Sequence, residues 1–212
     1  MQDEVEMIEI LDDIDSFQRE MEDLHRQVID VLSPVLGLEN RAEPVPIEVV
    51  EYHDGDGEYK PSKKRIIIGL NAWYTQKNEE IKRVWEFDRQ HVCVHETSHY
   101  LHHLRNPKIW SPSSEQEWIS GIQTMKSELR ELVADVLSLE FFNRTDQLQE
   151  LSTYQDKIHY FRRMGTYLRD IYEKYHLLSN LATLSVEDKE TGRILECVHQ
   201  IRDKSLIKWG RK

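Results

Sequence analysis

The sequence of 212 residues predicts an α+β fold, predominantly α-helical, with one small β-sheet. Three observations predict it. Apolar residues recur at spacings of three and four through most of the chain, which stacks them on one helix face. Two short β-branched stretches, 47–52 and 64–70, read as strands. Pro34, Pro107 and the capping sequence Ser114-Glu115-Gln116-Glu117 then divide the remainder into pieces of helical length.

The first helix carries Met7, Ile10, Ile14, Phe17, Met21, Leu24, Val28 and Val31 before Pro34 stops it. This heptad-like seam, flanked by acidic side chains, suits either packing on its own domain or a homodimer, and packing is the preferred reading for so few heptads. Residues 1–36 are therefore expected as an amphipathic helix lying on a compact unit spanning 37–212.

Next come the two strands, separated by a turn at Asp54-Gly55-Asp56-Gly57. Asp54 and Asp56 lack the remaining ligands of a calcium loop. From Thr75 the pattern is helical, with a lead-in through Ile81, Val84 and Trp85 and a second helix from about Asp88 that Pro107 ends. The capping box at Ser114 opens a helix that runs, with Gly121 as a soft spot, into a strongly apolar one bearing Leu129, Leu132, Val133, Val136, Leu137 and Leu139. Thr145-Asp146 reads as a further cap, opening helices whose Tyr154, Tyr160, Phe161, Tyr167, Tyr172 and Tyr175 suit a core. A loop containing Gly192 and a last helix over about 194–203 complete the chain.

The most specific signal is His95-Glu96-Thr97-Ser98-His99. Side chains four apart on an α-helix lie one above the other, so both imidazoles can reach one metal ion while Glu96 projects beside it. A tetrahedral zinc held by two histidines needs a third protein donor. The apolar helix downstream offers Glu131, with Asp135 four residues on along the same face. Ionised carboxylates on a largely buried helix require partners, and a metal with its ligating histidine would supply them. Glu131 is thus the expected third ligand, and Glu128, which has no Asp four residues later, is its rival.

Together these residues resemble the gluzincins, the thermolysin-like zinc metallopeptidases marked by H-E-x-x-H and, on a later helix, E-x-x-x-D. The likeness covers residues 88–143 and is closest to the small single-domain microbial type. It implies a zincin-like arrangement in which the metal-binding helix packs against the glutamate-bearing helix. It also implies one zinc ion per chain on His95, His99 and Glu131, Asp135 orienting a ligand imidazole, and Glu96 as general base in peptide-bond hydrolysis. Members of the family present an edge strand to extended substrate, often with Asn-Ala. Here residues 66–70 lead into Asn71-Ala72, the candidate substrate-binding pair, although an ordinary core strand fits the same residues. For the donor to the developing oxyanion the family uses a downstream His or Tyr. Tyr154, His159, Tyr160, Tyr172 and His176 are the candidates, and no motif chooses among them.

His91, four before His95, and His103, four after His99, extend a row of imidazoles along the metal helix, with His102 beside it. Each step of four rotates the position by about 40°, so the outer pair drifts from a metal held by the inner pair and is expected at the surface or behind the ligands. Cys93 points to another face and is not a nucleophile candidate.

A net charge of −11 and a pI near 5.4 argue against nucleic acid or an anionic membrane as partner, while the resemblance implies a peptide or protein substrate. Lys204, Lys208, Arg211 and Lys212 alone form a locally basic stretch. The acidic amino terminus lacks the features of a signal peptide, no stretch has the length of a membrane span, and two cysteines make no disulfide framework. A cytoplasmic location is expected. Two further readings stand beside the peptidase: a helical interaction module with a structural or vestigial zinc site, and a latent peptidase blocked by its own terminal segment, Trp209-Gly210-Arg211-Lys212.

Overall fold

The first apolar seam folds as α1 (Gln2–Leu32). In the computed structural model the backbone is described for residues 2–50, 57–69, 79–147, 174 and 180–209, and the side chains for 14–50, 57–69, 90–147, 174 and 180–201. Within that range Phe17, Met21, Val28 and Leu32 are buried, against α2, β1 and α5 of the same chain. Pro34 ends the regular helix. The chain then leaves through a Schellman closure, with Leu38 N–H donating to Ser33 O at 2.8 Å, Gly37 N–H donating to Pro34 O at 3.2 Å, and Gly37 left-handed at φ 63°.

Three strands form the sheet: β1 (Ile47–Val50), β2 (Gly57–Lys60) and β3 (Arg65–Gly69), in the order β1-β3-β2. β3 pairs parallel with β1 and antiparallel with β2. Two sequence expectations are corrected here. Gly57 belongs to a strand, not to a turn: β2, too short and polar to show a β-branched run, joins β3 through the turn at residues 61–64. The isoleucine strand, in turn, is not an edge. Ile66, Ile67 and Ile68 are all buried because β3 is paired on both sides and covered on both faces. Among the described residues β2 is the outer strand on the side facing α2, and Asn71 and Ala72 lie outside them.

The lead-in and metal segments form one continuous helix, α2 (Glu79–Arg105). Asn106 breaks it, and Pro107 starts the short α3 (Pro107–Trp110), where its missing N–H leaves no bond unmade. The capping box forms as expected, with Ser114 and Glu117 bonded reciprocally at the start of α4 (Glu115–Ile119). Gly121, at φ 77°, then separates α4 from α5 (Ile122–Arg144). Thr145 ends α5, its Oγ1 donating back to Phe141 O at 3.0 Å, and residues 148–173, where further helices are expected, lie outside the described residues. A 3-10 turn at Leu181–Thr183 precedes α6 (Lys189–Trp209), which is longer than expected and takes in Gly192. None of the described helices is long and apolar enough to cross a membrane. The core lies where α2 packs between α1, α5 and the sheet.

Candidate metal centre

Packing α2 against α5 brings three side chains together. His95 and His99 stand one turn apart on α2, their rings 4.6 Å apart between centroids and nearly perpendicular. From α5, Glu131 places Oε2 at 3.3 Å from His95 Nε2 and Oε1 at 3.5 Å from His99 Nε2. One donor atom from each of the three lies within 4.8 Å of the others, and no other such group occurs among the described residues. Two imidazole nitrogens and a carboxylate form a donor set suited to zinc with a position left open.

The electrostatics of the cluster also favour a cation. Burial works against a charged His95, but the carboxylates of Asp135 and Glu131 outweigh it and push the imidazole up to about 10. Burial likewise opposes ionisation of Glu131, yet His95 and His99 hold its carboxyl well below the usual range. Asp135 Oδ1 lies 3.3 Å from His95 Nδ1, close enough for a charge contact although not aligned as a hydrogen bond. The residues therefore fit a divalent ion, which would take the place of the proton that the two carboxylates otherwise retain on His95. Glu131 is 59 % exposed at its side chain, so the carboxylate looks into a solvent-accessible space rather than a closed core.

Glu96 is buried on the sheet side of α2, where its Oε2 accepts a hydrogen bond of 2.6 Å from Tyr59 N–H on β2. This contact depends on Gly57. A Cβ at that position would stand 2.6 Å from Val92 Cγ1 and 3.2 Å from Glu96 Cγ, so only glycine lets β2 lie so close to α2.

Thr97, fully buried inside the motif, is tied to α1. Val45 N–H donates to His25 Nε2 at 3.1 Å, which leaves the ring proton on Nδ1 to bond Thr97 Oγ1 at 2.9 Å. His25 is only 1 % exposed, and burial followed by the charge of Arg26 pulls its pKa down to about 4. The sequence reading missed it, although a histidine in line with Met21 and Val28 on an apolar face was a visible signal.

The outer histidines divide. His103 Nδ1 shares a hydrogen bond of 2.8 Å with Tyr59 Oη, and His91 stacks on Phe142 beside His95. His102, beside that row, is fully buried, and burial drops its pKa to about 3. Trp110, which no sequence motif singles out, packs its ring 5.3 Å from that of His99 and 5.6 Å from that of Tyr59. Glu128, the rival donor, lies outside the cluster: it turns away to α6, where His199 Nε2 lies 2.9 Å from its Oε1. Cys93 is buried and free, with Sγ 3.5 Å from Met21 O. Tyr154, His159, Tyr160, Tyr172 and His176 fall outside the described residues, as do the side chains of the carboxy-terminal segment. No protein-family model, curated protein or solved structure matches this chain.

Proposed function

We propose that the chain is a zinc-dependent peptidase of gluzincin type, hydrolysing peptide bonds with Glu96 as general base. One observation carries this reading: Nε2 of His95, Nε2 of His99 and the Glu131 carboxylate converge from two helices, with Asp135 against the far nitrogen of His95. His95, His99 and Glu131 would hold a zinc ion, which would supply Lewis acidity to lower the pKa of a bound water to about 7 and to polarise a carbonyl.

Everything else falls to the chain's own side chains. His95 and His99 bind through Nε2, and Asp135 holds the His95 ring in the orientation that presents that nitrogen. Glu96 accepts the proton of the attacking water on a carboxylate oxygen and returns it to the leaving amine. Tyr59 N–H, bonded to Oε2, restrains that carboxylate. The outer side of β2 offers the backbone groups on which an extended peptide can be held. The substrate is accordingly a peptide or an unstructured protein segment.

The Tyr59 bond also favours a second reading. A buried carboxylate that satisfies a strand amide has a structural use of its own, as expected if the zinc site were structural and the protein a helical interaction module. Metal analysis of the purified protein, together with Glu96→Gln and His95→Ala, separates the two. The peptidase reading expects zinc and cleavage of an unstructured protein in the wild type, zinc without cleavage in Glu96→Gln, and neither in His95→Ala. Zinc retained in a wild type that cleaves nothing would favour the interaction module.

A further inference from the structure

Next to the cluster, α5 carries Arg130, a half-buried cation. Arg130 Cζ lies 5.0 Å from the centroid of the Trp110 ring, and its Nε donates to Lys126 O at 3.2 Å. Among the described residues no carboxylate comes within ion-pair distance of it, because its neighbour Glu131 is turned toward the histidines. Its outer nitrogens find no acceptor among the described residues and are not enclosed, so they stay open to a ligand. Trp110 Nε1 is buried without a hydrogen-bond partner.

Trp110 connects this pair to the metal centre. Its ring lies 5.3 Å from the ring of His99, so the guanidinium stands no more than about 10 Å from that ligand, the span of about three extended residues. The Trp110 ring also lies 5.6 Å from that of Tyr59 on β2. The Arg130–Trp110 plate therefore borders both the metal ligands and the outer strand.

We propose that Arg130, backed by Trp110, is a carboxylate-binding subsite that selects peptides carrying an anionic group within about three residues of the metal-bound position. The inference rests on the peptidase reading and adds a substrate class to it. A planar guanidinium presents parallel N–H donors to both oxygens of a carboxylate, and the aromatic plate restricts the rotamers it would otherwise have to surrender on binding. The anion has two sources, a chain-terminal carboxylate or an Asp or Glu side chain, and both offer the same pair of oxygens.

The test uses full-length, zinc-loaded Glu96→Gln protein, whose ligands remain intact while turnover is absent. Three probes are titrated: N-acetyl-dialanine acid, N-acetyl-dialanine amide, and N-acetyl-aspartate amide. The readout is the indole N–H resonance of Trp110, assigned by its loss in Trp110→Phe. The two carboxylate probes should shift it saturably, with affinity about ten-fold or more above that of the amide. Which of the two acids binds more tightly identifies the source of the anion. Arg130→Met should abolish the preference, and Arg130→Lys should keep the charge but lose much of it.

Equal affinity for acid and amide, no saturable shift with any probe, or an acid preference that persists in Arg130→Met would overturn the proposal. The last of these would mean that the carboxylate is held by the zinc alone. Should Arg130→Met fail to fold by circular dichroism, an unchanged preference in Arg130→Lys would do the same. Because the readout is binding, it stays informative if wild-type protein cleaves nothing, which would count against the peptidase reading alone.

Discussion

Asp135 Oδ1 stands 3.3 Å from His95 Nδ1, against the ring nitrogen that Glu131 leaves free. A carboxylate in that place sets the orientation of the imidazole and strengthens its other nitrogen as a donor. Asp135→Asn should preserve the helix yet weaken zinc affinity by about 10- to 100-fold. Competition with a chromophoric chelator measures it; an unchanged affinity would remove Asp135 from the centre.

The two glutamates of α5 make opposite predictions. Glu131→Gln should lose tight zinc binding, whereas Glu128→Gln should retain one zinc per chain, since Glu128 is engaged by His199 at 2.9 Å. Both members of that pair are partly solvent-exposed, so its loss should lower stability by less than about 1 kcal/mol. Zinc content by elemental analysis and urea unfolding check the two halves separately.

Gly57→Ala places a methyl 2.6 Å from Val92 Cγ1 and 3.2 Å from Glu96 Cγ. Overpacking of this kind destabilises by about 1–3 kcal/mol, and it should push β2 away from Glu96 at the same time. Adding Val92→Ala should recover part of the stability by removing the nearer obstacle. Non-additivity in a double-mutant cycle measured by urea unfolding is the expected result, and simple additivity would show that the two residues do not meet.

His25 makes stability depend on pH. The bond that Nε2 accepts from Val45 N–H requires the neutral ring, and burial has lowered its pKa from 6.5 to about 4. Between those values the unfolded chain binds the proton and the folded one does not, so the contribution is complete above about pH 6.5 and is lost as pH falls toward 4. A gap of this size corresponds to about 3 kcal/mol. The stability difference between wild type and His25→Gln should shrink by about that amount between pH 7 and 4. A difference that stays constant across the window would exclude His25 as the titrating group.

Much of the candidate centre is legible in local sequence because α-helical geometry is itself local. A spacing of four puts His95 above His99 and Glu131 in line with Asp135 whatever the rest of the chain does. Helix ends were similarly readable, since Pro34, Pro107 and the Ser114–Glu117 box act on their own or adjacent backbone.

Alone, the sequence determined that two α-helices carry a metal-ligand pattern and that a short sheet precedes them. Tertiary structure decided that β3 lies inside that sheet and β2 outside it, that Glu96 meets Tyr59, that His25 holds Thr97 across 72 residues of chain, and that Trp110 backs both His99 and Arg130. The reason is physical. Strand order and side-chain partners across helices depend on hydrogen bonds and packing between residues far apart in the chain, which no local periodicity encodes.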